Sequence, residues 1–405
     1  MMKRGLSKPD RSQAMLPELN RRKFLRAASA GVLAGSMTGG GLSADVPRGA
    51  EHRKLLIVVF GGGTRSSEAI DDPQHRYIPQ LWQRLVPRGT LLTNMRVEHR
   101  VVHPNCAASI ITGHWEWDHL DWSIPVANPT VSEIVRKERD APDTAAWVFA
   151  YASILSQTGH STAAQYGRRY AANVVTPPTI PRSAAQEISR LMGEAACRGS
   201  AEAEWDAARQ CARLARTKSR IARDGLYSDS ARRWLDAEYQ EWRDGTGVTS
   251  HDAFLADRAI GCMQRFAPDV ITVNFGEIDC AHYGSWSRYV EAIRRTDALT
   301  WRLWQAAQQL PVYRERTLML VLPDHGRELD GPGRSGFIHH SNFYTNEGAD
   351  EGCRRVWMLA IGPGVAAGRR LNCPVPTTVA AATGLEYLGL SHSPGAAQSV
   401  LDLLS

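Results

Sequence analysis

After its first residue, the run Lys54-Leu55-Leu56-Ile57-Val58-Val59-Phe60 is continuously apolar, and it stops at Gly61-Gly62-Gly63. A strand with one wet face alternates apolar and polar residues, so a strand apolar throughout is buried on both faces, as in a parallel sheet covered by helices on each side. The glycines end it in a loop whose backbone can approach a ligand closely. Similar runs recur at 145–151, 269–275, 317–322 and 356–361, with helical patterns between most of them. This alternation predicts an α/β fold: a doubly wound, mostly parallel sheet with helices on both faces. A chain of 405 residues, 43% hydrophobic and 22% charged, has ample apolar surface for such a core.

Two segments depart from this pattern. Between about 182 and 245 the chain becomes a dense mixture of Ala, Arg, Glu and Gln with apolar residues at helical spacing, as in Ile188, Leu191, Met192 and Ala195. A helical insertion is expected there, either capping the site or packing on the sheet edge, with the cap preferred. At the N-terminus, Asn20-Arg21-Arg22-Lys23-Phe24-Leu25-Arg26 precedes a weakly apolar, Ala/Gly/Ser-rich stretch that runs through Leu42-Ser43-Ala44. Paired arginines followed by Phe-Leu, and the modest hydrophobicity after them, are similar to a twin-arginine signal peptide. The expected organisation is therefore a signal at 1–44, engaged by the twin-arginine export machinery, and a catalytic domain at 45–405 in the periplasm or otherwise exported. No later stretch has the apolar length of a membrane span. The formal charge of +6 is scattered, without the aromatic-interleaved basic run of a nucleic-acid module, and is read as mild attraction for a small anionic ester. Seven cysteines form no Cys-x-x-Cys pair, and an odd number leaves at least one unpaired.

In open α/β sheets, ligands sit beyond the carboxyl ends of the strands. Three such places carry metal-ligand chemistry: Asn274 to Gly284 with Asp279 and His282, Leu322 to Glu328 with Asp324-His325-Gly326, and Gly336 to His340 with His339-His340. Carboxylate and neutral imidazole together suit a divalent metal, zinc or alternatively manganese, in one or two ions. A lone Asp is as often a helix cap, but three His-containing sites favour metal.

In their order along the chain, these motifs resemble the alkaline phosphatase superfamily, which includes sulfatases, nucleotide phosphodiesterases and cofactor-independent phosphoglycerate mutase. The similarity runs from Phe60-Gly61-Gly62-Gly63 through Ser109-Ile110-Ile111-Thr112-Gly113, Asp279 with His282, and Asp324-His325-Gly326, to His340. It implies that Asp279, His282 and His340 bind one metal and that Asp324 and His325 bind the other, His339 being the weaker candidate. The pattern Asp279-Cys280-Ala281-His282-Tyr283-Gly284 is closest to a sulfatase-like branch, although phosphatase members often place one more residue between the Asp and the His.

Two departures matter. Where the family places an Asp after the first strand, this chain has Gly61-Gly62-Gly63-Thr64-Arg65. Either Glu68, Asp71 or Asp72 substitutes, or these are solvated loop acids. At the family's nucleophile position stands His103, followed by Pro104-Asn105-Cys106. Cys106 is the strongest nucleophile nearby, and Asn105 or His103 alternatively binds metal or substrate and leaves activated water as the attacker. Cys106-Ala107-Ala108-Ser109-Ile110 lacks the Cys-x-Pro-x-Arg of sulfatases, so formylglycine is not expected, and Ser109 is assigned to helix packing. Arg65, Arg327 and Arg334 are candidates for binding the substrate anion. Trp115 and Trp117 either wall the substrate or pack on the core. The expected function is an exported metal-dependent hydrolase of phosphate or sulfate esters. The alternatives are a degenerate, non-catalytic sulfatase-like protein and a phosphotransferase or mutase of the same superfamily.

Overall fold

The computed structural model describes residues 52–244, 250–342 and 347–405, so the twin-arginine segment and the rest of the expected signal lie outside the described residues. The described residues form one compact unit. Nine strands build one sheet: β1 Lys54–Phe60, β2 Thr90–Arg96, β3 Ala146–Ala150, β4 Asn173–Val175, β5 Val270–Asn274, β6 Thr317–Pro323, β7 Arg355–Ile361, β8 Arg369–Leu371 and β9 Val375–Pro376. Their order is β4-β3-β5-β1-β6-β7-β2-β8, with β9 also on β2. All pairings are parallel except the two made by β7. The sheet is thus the mostly parallel one expected. The five apolar runs are β1, β3, β5, β6 and β7. The other four strands are short or partly exposed and carry no continuous apolar signal.

β1 lies between β5 and β6, with Val58 opposite Val273 on one side and Val321 on the other. Because side chains alternate along a strand, Leu56, Val58 and Phe60 enter one core while Leu55, Ile57 and Val59 enter the other. The described helices of eight or more residues are α1 His103–Thr112, α2 Val131–Glu138, α3 Arg182–Arg198, α4 Ala201–Lys218, α5 Asp229–Asp244, α6 His251–Phe266, α7 Trp286–Gln309 and α8 Val379–Tyr387. α6 and α7 supply Leu255, Met263, Ile293 and Leu303 to the first core. α1, α2 and α8 supply Ile110, Ile134 and Leu385 to the second. Helices on both faces make the sheet doubly wound.

Helices α3 to α5 occupy the segment expected to be helical. α3 and α4 bury only Ala184 and Ala195, and Ala207 and Cys211, respectively. α5 is the part tied to the main core, through Leu235 and through Trp234 packed edge-on against Trp147 of β3, with ring centroids 5.4 Å apart. It therefore packs beside β3, and no residue of 182–245 lines the cavity next to the site. The preference for a cap is corrected on this point. All seven cysteines are free thiols. Among the described residues, no helix is long and apolar enough to cross a membrane.

Ile57 is fully buried at the centre of the sheet. Replacing it with Ala leaves a cavity in a strand paired on both edges, and Ile57→Ala is expected to lower unfolding stability by about 2–5 kcal/mol in a denaturant melt.

Candidate metal centre

Since β5, β1 and β6 are neighbours, the loops leaving their carboxyl ends converge. They are Gly61-Gly62-Gly63, the 3-10 turn Glu277–Tyr283, and Asp324 to Arg327. The first turn of α1 brings His103 to the same place.

Asp324 is fully buried. Its carboxylate accepts the backbone N–H groups of Gly62 and Gly63, each at 3.2 Å, and that of His325 at 2.8 Å. His103 Nδ1 lies 2.9 Å from Asp324 Oδ2. Presenting two successive N–H groups to one carboxylate requires left-handed backbone, with φ of +101° at Gly62 and +79° at Gly63. There is also no room for side chains. A Cβ on Gly62 would stand 2.3 Å from the Asp279 nitrogen, and one on Gly63 would stand 2.8 Å from His325 Cε1. The glycines thus cradle Asp324 where a further carboxylate ligand was sought.

The imidazoles are oriented by the backbone. His325 Nδ1 lies 2.6 Å from the Gly326 carbonyl, and His340 Nδ1 lies 2.8 Å from the Val101 carbonyl. A carbonyl only accepts, so each Nδ1 carries the proton and each Nε2 turns a lone pair inward. His325 Nε2 faces His103 Nδ1 at 2.7 Å, and His340 Nε2 faces His282 Nε2 at 3.1 Å. Asp279 Oδ1 is 2.8 Å from His103 Nε2 and 3.2 Å from His282 Nε2. Two sets of donors, His103/His325/His340 and His103/Asp279/His282, each keep their ligand atoms within 4.8 Å of one another. Converging imidazole lone pairs beside a carboxylate are the donor set that a zinc-type ion takes, so the residues fit a divalent metal.

The electrostatics agree with that fit for His325 and His340, whereas His103 keeps its proton between two carboxylates and would have to give it up to bind an ion. Burial pushes His325 down to about 3 and His340 lower still, so both rings are neutral donors. Burial opposes ionisation of Asp324, but His325 and His103 outweigh it and hold the carboxyl at about 2. For Asp279, too, burial is outweighed by His103, His282 and Arg327, which place it well below the ordinary carboxylate range. His103 is opposed by burial and held at about 9 by the two carboxylates it bridges.

Of the expected ligands, Asp279, His282, His325 and His340 fall in these two donor sets together with His103, whereas Asp324 is in neither and accepts from the backbone of Gly62, Gly63 and His325 and lies against His103. The other expected residues are engaged elsewhere. Cys106 is fully buried, donates to the Arg100 carbonyl at 3.3 Å, and has its thiol pushed far up by burial and by Asp324, so it is no ready thiolate. The Asn105 amide donates to the Glu116 and Trp117 carbonyls and accepts from Trp122 Nε1, pinning the loop after α1. Ser109 donates to the Asn105 carbonyl. Arg65 is buried and grips both oxygens of Glu68 at 2.6 and 2.8 Å, together with Glu328 O and Asp330. Asp71 pairs with Arg355 and Asp72 with Arg76, so none of the three loop acids reaches the centre. Arg334 pairs with Asp350. Arg327 is at the centre but fully buried, donating to the carbonyls of Gly62, Gly63 and Ile338 and to Asp279 Oδ1 at 3.0 Å. It orients a ligand rather than presenting a free fork to substrate. Trp117 is buried with Ala108 and Val126, and Trp115 packs partly against the core around α1.

Beside the centre opens a cavity of about 420 Å³. Among its lining residues is Tyr151, which a sequence search confined to His and Asp passes over, although it directly follows the apolar run of β3.

No family model matches the chain, and no curated protein matches it. Solved structures do. The chain is similar to the PsFucS1 sulfatase from Pseudoalteromonas sp., at 14% identity and a TM-score of 0.53, covering 87% of this chain and 72% of that one. It is similar to a protein in the alkaline phosphatase superfamily from Vibrio parahaemolyticus, at 11% identity and a TM-score of 0.51, covering 86% and 69%. The phosphonate monoester hydrolase of Agrobacterium radiobacter matches at 14% identity and a TM-score of 0.50, covering 87% and 77%. These likenesses show that the α/β fold is the one shared by sulfatases and other alkaline phosphatase superfamily structures.

Gly62→Ala is expected to cost about 1–3 kcal/mol for the backbone conformation alone, and to displace Asp279 as well. A melt and metal analysis together check this, with both stability and bound metal falling.

Proposed function

We propose that this chain is an exported, metal-dependent hydrolase of phosphate or sulfate esters. The observation that carries the proposal is the convergence of His103, His325, His340, Asp279 and His282 donor atoms at the carboxyl edge of the central strands. His103, Asp279 and His282 would hold one ion, or His103, His325 and His340 would, since a neutral imidazole offers a single lone pair, with zinc preferred and manganese the alternative. Such an ion supplies Lewis acidity toward an ester's non-bridging oxygens and makes water acidic enough to react near neutral pH. The chain's own groups set the stage for it. Gly326 and Val101 carbonyls hold two imidazoles in the ligating tautomer, Arg327 orients Asp279, and the glycine cradle fixes Asp324 against His103.

Cys106 and Ser109, the thiol and hydroxyl of α1, are pinned to backbone carbonyls, so water rather than either of them is the proposed attacker. Its oxygen joins the phosphorus or sulfur, the bond to the alcohol breaks, and the alcohol leaves with a proton. Export rests on the Arg21-Arg22 segment, which lies outside the described residues.

A second reading, a non-catalytic relative retaining the fold, is favoured by one observation. The position of the absent Asp is filled by closely packed glycine backbone.

Metal analysis of the purified protein is expected to find about one zinc or manganese ion per chain, and none would sink the assignment. Asp279→Ala is expected to lower metal content and to reduce hydrolysis of aryl phosphate or sulfate by at least about a hundredfold, since changing only a ligand's hydrogen-bond partner already costs about tenfold to a hundredfold. Metal retained without any ester hydrolysis supports the second reading.

A further inference from the structure

The arginines expected to receive an anion are committed to the fold, and no Lys or Arg lines the cavity beside the centre. An anionic ester bound there needs another donor. Tyr151 stands between the centre and that cavity. Its backbone N–H bonds to the Asn274 carbonyl at 3.0 Å, which fixes it at the carboxyl end of β3 beside β5. Its ring meets that of His103 at right angles, with centroids 6.4 Å apart, and the residue lines the cavity.

The ring lies across Gly276, where a Cβ would come 2.0 Å from Tyr151 Cγ. That glycine has an ordinary negative φ of −154°, so it is needed there for space, not for backbone conformation. Among the described residues the Tyr151 hydroxyl makes no hydrogen bond, and the residue is half-buried in the cavity wall. A half-buried phenol beside a polar centre ordinarily finds a partner.

Resting on the hydrolase reading above, we infer that the Tyr151 hydroxyl is a substrate-binding group of the centre, donating its hydrogen bond to a non-bridging oxygen of the phosphoryl or sulfuryl group. Burial, with Asp324, Asp279 and Asp252 around it, keeps the phenol protonated and thus a donor. The organic part of the ester then extends into the cavity along His251, Cys280 and Tyr283. No Lys or Arg lines this cavity, Glu277 in its wall is paired with Arg295 and Asp252 accepts the Gly276 and Glu277 N–H groups, so it suits an uncharged organic group rather than a second anion.

The test uses the full metal-loaded protein and Tyr151→Phe, which keeps the ring and removes only the hydroxyl. Calorimetric titration with inorganic phosphate and with sulfate is expected to show binding about tenfold to hundredfold weaker in the variant, the range for one hydrogen bond to a charged group. The kcat/KM for an aryl ester should fall by a similar factor, while melting temperature and metal content stay at wild-type values. Gly276→Ala, which expels the ring, should reproduce the loss, and Tyr151→Phe carries the test alone if Gly276→Ala does not fold. Anion binding and kcat/KM within twofold of wild type in Tyr151→Phe would overturn the inference, whatever the status of the hydrolase. A wild-type protein that binds neither anion overturns it too. A protein that hydrolyses no ester but binds phosphate in a Tyr151-dependent way defeats the hydrolase reading and leaves the role of Tyr151 as an anion donor intact.

Discussion

The buried carboxylate of Asp324 ties the molecule's working edge together. It takes hydrogen bonds from the loop after β1, from its own loop after β6 and from the first turn of α1. A fully buried carboxylate is costly unless its oxygens are satisfied, and removing a partner from such a group typically costs about 3–5 kcal/mol. Positions of the glycine loop, His103 and His325 are therefore mutually dependent. That dependence turns three separate strand ends into one set of converging donors. Asp279 closes the set from the β5 side, with Arg327 reaching from the β6 loop to hold it.

Charge is distributed at this edge by the needs of burial. Arg65 and Arg327 look, by position, like groups that receive an anion, yet both are buried and answer internal acceptors. Arg65 binds Glu68 and Asp330, and Arg327 binds the glycine carbonyls and Asp279. A guanidinium with its donors matched inside the fold is a structural cross-link, because freeing it would strand buried carboxylates. Under the proposed hydrolase reading, positive charge near the substrate would then come from an ion held by imidazoles and Asp279, and recognition of the anion would fall to groups that carry no formal charge.

Much of the fold was legible because a strand buried on both faces has no choice of composition. The runs at β1, β3, β5, β6 and β7 are apolar over most of their length and were found. β4 has three residues and β8 is largely polar at an edge, so neither meets the environment that enforces such a run. The candidate ligands were legible for a related reason, since Asp324 and His325 immediately follow β6 and Asp279 lies in the turn after β5. Tyr151 follows a strand as well, but tyrosine is common in cores, and its open hydroxyl is a property of the neighbours rather than of the residue.

The sequence by itself determined the layered α/β sheet and the chemical character of its carboxyl edge, because hydrophobic periodicity and residue type are local properties that survive without coordinates. Only the tertiary structure decided which of those residues act together. Cys106 and His103 are three positions apart on one helix, yet one thiol is buried against a carbonyl while the imidazole bridges two carboxylates. Gly61-Gly62-Gly63 reads as a flexible loop in one dimension and is a tightly filled carboxylate cradle in three. The partners of Gly62 and Gly63 at Asp324 lie more than two hundred positions away, and no local pattern encodes them.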